Sequence, residues 1–103
     1  NEALLLFEET VERLLDDQDH VPECPHCREY MVEAGERVVE AESFRPRVPE
    51  ALGQAVLTAP FAMTVYVCPS CFSVQQVLAE QSRGEMARRL SQAAGRPAKG
   101  SKR

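Results

Sequence analysis

The sequence predicts a small α+β domain, an antiparallel β-sheet with an amphipathic helix before it and a second helix after it. Three observations predict this. Apolar residues recur at helical spacing over residues 2–18. The run FAMTVYV at 61–67 is dense in β-branched and aromatic side chains, the composition of a strand. The 4 cysteines fall in two tetrapeptides of one pattern, CPHC at 24–27 and CPSC at 68–71, each beside a stretch of strand character.

The first helix is EALLLFEETVERLLDDQ. Leu4, Phe7, Val11, Leu14 and Leu15 share one face, Leu5 and Leu6 widen it, and Glu8, Glu9, Glu12, Arg13 and Asp16 occupy the other. Asp16, Asp17 and Asp19 crowd the end of the helix, where its dipole disfavours negative charge. Val21-Pro22 closes the segment. The apolar face either packs on its own sheet or meets a partner.

Residues 28–33 read as a short strand, Ala34-Gly35-Glu36 as a turn, and Arg37 to Phe44 as the returning strand. An insertion at 45–60 holds Pro46, Pro49 and Pro60. Pro49 at a first turn could open a two-turn helix, which Gly53 weakens. Its Leu52, Val56 and Leu57 cover the sheet or form a binding lip. After the strand at 61–67, residues 72–79 are its hairpin partner. Ser82 to Glu85 has the form of a capping box for a helix over 81–95, with Met86, Leu90 and Ala93 on one face. Gly95, Arg96 and Pro97 end it, and 96–103 form a basic, disordered tail.

The two CPxC runs carry the chemistry. A thioredoxin-like dithiol requires one pair at the start of a helix after a buried strand. Here there are two pairs, and the first follows an acidic, polar loop from Asp17 to Glu23. A metal clamped between two loops needs four soft ligands, and an i,i+3 pair lets one tight turn aim two sulfurs at one ion. Cys24, Cys27, Cys68 and Cys71 are therefore the expected ligands of one structural Zn²⁺. Four thiolates serve iron equally well in a rubredoxin-like site, so the preference for zinc is a prior. His26 lies inside the first knuckle and His20 ahead of it; with four cysteines present neither is needed.

MTVYVCPSCFSVQQVLA reads as strand, knuckle, strand, and ECPHCREYMVEAGERVVEA has the same form. Together they resemble a zinc ribbon, in which two knuckles joined by an antiparallel sheet hold one zinc, over roughly 22–79. The chain then divides into a helix over 1–20, a ribbon-like core over 21–80 with the insertion at 45–60, and the C-terminal helix, and the resemblance implies a knuckle that turns through positive φ just after its second cysteine. Glycine usually stands there; this chain has Arg28 and Phe72. A core of about 60 residues buries little apolar surface, so the metal becomes part of the fold.

Charge narrows the function. Residues 1–50 carry 14 acidic and 5 basic side chains, and residues 51–103 carry 2 and 7, within a net charge of −4. That balance disfavours general binding of nucleic acid and leaves Arg88, Arg89 and the tail as its basic candidates. A four-cysteine site is closed and makes a poor Lewis acid, and no GxSxG, Walker or HExxH motif is present, so an enzyme is not expected. No apolar run approaches the roughly 20 residues of a membrane span, and no secretory signal is visible. Reduced CxxC pairs imply the cytoplasm, or the nucleus in a eukaryote. The expected role is a regulatory interaction or adaptor module for a protein partner or a second copy. Leu4, Phe7, Val11 and Leu14, with Arg88 and Arg89, are its candidate contact residues. A nucleic-acid-binding ribbon and a redox-sensitive zinc switch are the alternatives.

Overall fold

The computed structural model describes residues 1–94. Its elements run α1 (Glu2–Asp16), β1 (Val32–Val39), a 3-10 turn (Ala41–Ser43), β2 (Phe61–Val67), β3 (Val74–Leu78) and α2 (Glu80–Ala94). The three strands form one antiparallel sheet in the order β1-β2-β3. The expected α+β class with a helix at each end is therefore the observed one. The predicted tail at 96–103 and the predicted helix stop at Gly95, Arg96 and Pro97 lie outside the described residues.

The chain divides into two compact units, Asn1–Glu36 with Thr64–Val77, and Arg37–Met63 with the chain from Leu78 onward. In the first unit, the Asn1 side chain caps α1 by accepting from the Ala3 amide at 2.8 Å. The α1 C-terminus closes on Asp17, whose amide reaches the carbonyls of Arg13 and Leu14. No residue of α1 is buried. The core of this unit is small: Cys24, Met31, Tyr66 and Cys68, with Cys27 and Val77 packed against them. His20 sets its ring edge-on to Tyr66 at 6.2 Å.

Two local readings are corrected here. The predicted hairpin over 28–44 is absent, because Val32–Val39 is one strand that runs straight through Gly35. The chain reverses earlier, within the first knuckle: the Met31 amide donates to the Pro22 carbonyl, and Tyr30 bridges Glu23. The strand then ends at Val39, and Ala41–Ser43 coil where a strand to Phe44 was expected.

In the second unit, Phe44 packs edge-to-face on Phe61 at 4.9 Å. The two-turn helix after Pro49 shrinks to a single turn. The amides of Leu52 and Gly53 reach the Pro49 carbonyl, and Gly53 stops the turn at φ +75°. Helix α2 starts two residues before Ser82, so Ser82 is not its cap. Its hydroxyl accepts from the Ala62 amide of β2 instead, at 3.2 Å. The half-buried face of α2 is Ser82, Met86 and Arg89, while Leu90 is exposed. The Ala93 side chain lies outside the described set. Val56 and Leu57 are half-buried and line a cavity of about 250 Å³ with Pro60, Phe61, Met86 and Arg89.

Candidate metal centre

Each CPxC run folds as a tight turn, and the two turns share the same backbone bonds. The Arg28 amide donates to the Cys24 carbonyl at 2.8 Å, and the Phe72 amide to the Cys68 carbonyl at 2.9 Å. The Cys24 amide donates to Glu29, and the Cys68 amide to Ser73. Inside the turns, the His26 amide points at Cys24 Sγ and the Ser70 amide at Cys68 Sγ, each at 3.4 Å. These amides favour the charged sulfur that a metal requires. The expected positive φ is present at both non-glycine positions, 71° at Arg28 and 63° at Phe72. A side chain in this left-handed region costs about 1–2 kcal/mol. Arg28 gains a partly offsetting pair, Nε donating to Glu23 Oε1 at 2.9 Å across its own turn. Phe72 gains little packing there, since it is 72% exposed.

The turns bring the four sulfurs together. Cys27 and Cys68 Sγ lie 3.4 Å apart, Cys24 and Cys71 3.6 Å, and Cys27 and Cys71 3.8 Å. All four lie within 4.8 Å of one another, and none is in a disulfide. A tetrahedron with metal–sulfur bonds of about 2.3 Å has edges of about 3.8 Å. These three separations are close to such edges, and the four cysteines could hold one metal ion. Burial grades across the site: Cys24 and Cys68 are buried, Cys27 is partly covered, and Cys71 is exposed.

The thiols differ in acidity. For Cys71, the Ser73 hydroxyl at 3.2 Å and the Ser73 amide outweigh burial and bring the pKa down to about 6. For Cys68, the Cys71 amide, helped by the Ser70 amide, lowers the pKa against the cost of burial. For Cys27, the Glu29 amide favours the thiolate, but the contact with Cys68, burial, and the neighbouring Cys71 and Cys24 outweigh it and push the pKa up to about 12. A metal entering the cage at neutral pH must therefore displace the Cys27 proton.

The remaining candidates fall in different places. His26 is exposed and His20 is occupied with Tyr66, so neither side chain joins the cage. Leu4, Phe7 and Leu14 are 55%, 47% and 46% exposed, and Val11 is half-buried. Arg88 is exposed and pairs with Glu85 at 3.4 Å. Arg89 is turned inward, donating to Thr58 Oγ1 at 2.9 Å and to the Ala55 carbonyl at 3.4 Å. Ser73, whose hydroxyl tunes Cys71, escaped the sequence reading; its place two residues after the last cysteine was the available sign. Among the described residues no helix is long and apolar enough to cross a membrane. No protein-family model matches the sequence, and no match was found among curated proteins or solved structures.

Proposed function

We propose that this chain is a zinc-ribbon-like interaction module. One Zn²⁺, held by Cys24, Cys27, Cys68 and Cys71, fixes the scaffold, and α1 presents Leu4, Phe7, Val11 and Leu14 to a protein partner. The observation that carries this reading is the convergence of four sulfurs from two equivalent turns at the spacing of a tetrahedral cage. Four protein ligands leave no open coordination position, so the metal's part is structural. The face of α1 supports docking, since no residue of this amphipathic helix is buried and Leu4, Phe7 and Leu14 are exposed, with Val11 and Leu15 half-covered. The rim of that face is acidic, with Glu8, Glu9, Glu12 and Asp16 against Arg13, which favours a basic amphipathic partner. The nucleic-acid alternative loses one of its contacts, because the Arg89 guanidinium is bound within its own unit.

Native mass spectrometry of the reduced chain, before and after a strong chelator, tests the metal. The expected result is one zinc per chain, lost together with the cooperative melt. Iron in its place would correct the metal, and no metal at all would overturn the reading. For the docking surface, a cationic amphipathic helical peptide should bind the wild-type chain and bind Phe7→Glu at least tenfold more weakly; equal affinities would remove α1 as the contact face.

A further inference from the structure

Among the described residues, strand β1 is an edge strand with β2 as its neighbour in the sheet. Its residues from Glu33 to Val38 are exposed on both faces, and a Cβ built on Gly35 would meet nothing within 4 Å. An open edge of this length invites pairing with another strand.

One side chain occupies that edge as a strand would. The Gln18 carboxamide accepts from the Glu33 amide at 2.7 Å and donates to the Met31 carbonyl at 3.2 Å. The C=O and N–H of a neighbouring strand would make bonds of this kind, so Gln18, with the Pro22 carbonyl that accepts from the Met31 amide on the same side, marks the outward direction. By strand alternation, Glu33, Gly35 and Arg37 then direct their backbone groups to the outer edge. Beside it lies a groove of about 370 Å³ lined by Leu14, Asp17, Gln18, Glu33, Ala34 and Gly35.

The sequence of the strand is complementary to itself. We propose that the outer edge of β1 pairs antiparallel with β1 of a second copy of this chain, about a two-fold axis through Gly35. In that register Val32 faces Val38 of the second copy, Glu33 faces Arg37, Ala34 faces Glu36, and Gly35 faces Gly35. Each contact but the Gly35 pair on the axis occurs twice, as an isologous interface demands. Opposite charges meet at two positions, no like charges meet, and two apolar pairs cover Val38, which is 53% exposed in the single chain. The register two residues further on sets Glu36 against Glu36, and the one before it shortens the ladder. The arriving Arg37 enters the groove that Asp17 and Glu33 line, and its five donors allow it to keep other bonds. Two three-stranded sheets become one of six strands. The α1 face is a poorer self-interface, because its acidic rims would oppose each other. The inference does not depend on which metal fills the cage.

Sedimentation of the full reduced chain tests it. The expected result is a concentration-dependent dimer. Gln18→Ala, which vacates a rung that the partner must otherwise displace, tightens it severalfold. Gly35→Pro removes only an outward amide, so it leaves the β1–β2 ladder and the bound metal in place and abolishes the dimer. Arg37→Glu weakens it at least tenfold, and Glu33→Arg with Arg37→Glu restores it, which a merely structural role would not do. Phe7→Glu leaves it unchanged. Monomers in both wild type and Gln18→Ala, a dimer that survives a folded Gly35→Pro chain, failure of the charge swap to restore it, or dissociation by Phe7→Glu would each overturn the proposal.

Discussion

The two units of this chain meet the same difficulty differently. Neither buries much apolar surface, and each adds a polar device that joins segments far apart in sequence. The first collects four thiols from two turns that are 41 to 47 positions apart in their contacts. The second ties Arg89 of α2 to Thr58 and Ala55, 31 and 34 positions away, and adds the Phe44–Phe61 ring pair. The difference lies in what each device needs. Four bare thiols do not hold a fold, so under the proposed function the first unit takes its brace from a metal. A guanidinium carries its charge and its planar fork with it, so this brace in the second unit needs no added ligand.

That contrast can be broken, and the largest effect lies in the metal. Cys24→Ser removes a buried ligand. A structural zinc contributes on the order of 10 kcal/mol at neutral pH, so the expected outcome is loss of the cooperative melt and of bound metal. Retention of both would place the stability of the first unit elsewhere. The same site sets a pH dependence. The Cys27 thiol, pushed up to about 12, is protonated in the metal-free chain at neutral pH, so metal binding releases its proton and affinity rises with pH. Cys71, with its pKa down at about 6, acts in the same direction: the stability its thiolate gives the metal-free fold is full above the ordinary thiol range near 9 and disappears as pH falls through about 6. Zinc titrations between mildly acidic and mildly basic buffer read the first effect directly.

A smaller effect is expected in the second unit. Arg89→Met keeps much of the side-chain volume but leaves Thr58 and Ala55 without their donor. The expected cost is about 2 kcal/mol, with faster amide exchange in the insertion and unchanged metal content. Arg89→Lys should rescue little, because a single ammonium cannot reproduce the fork. If Arg89→Met also lost metal, the two units would not be independently braced.

The smallest effect sharpens the picture of the knuckles. Phe72 sits at φ 63° with most of its ring exposed. Phe72→Gly should relieve the backbone and stabilise the chain by about 1 kcal/mol, measured as a rise in melting temperature at constant zinc content. Arg28→Gly should gain less, because it gives up the pair with Glu23. A destabilised Phe72→Gly chain would mean that the exposed ring is held by contacts it makes in solution, such as those of a partner.

Much of the fold was legible because its signals are local. The apolar period of α1 and the β-branched run at 61–67 each determine an element without reference to the rest of the chain, and β2 begins and ends where that run does. The cysteine spacing is equally local within each turn. The positive φ after each second cysteine was implied by the resemblance to a zinc ribbon and not by the spacing, and Arg28 and Phe72 adopt it although neither is glycine. The misread segments are those where a local signal had a competitor. Ala34-Gly35-Glu36 has the composition of a turn, but the first knuckle had already reversed the chain, which left residues 32–39 free to run straight as a strand. Ser82 has the form of a cap, but the Ala62 amide of β2 claims its hydroxyl.

By itself, then, the sequence determined the element types, the four candidate ligands and the shape of each turn, because these depend on neighbours within a few bonds. Tertiary structure alone decided the rest. It determined whether the α1 face would be covered, which way Arg89 would turn, and that Gln18 would seat itself on the edge of β1. Each of those outcomes is a choice among partners distant in the chain, and the energies that decide between such partners depend on which groups the fold brings within reach.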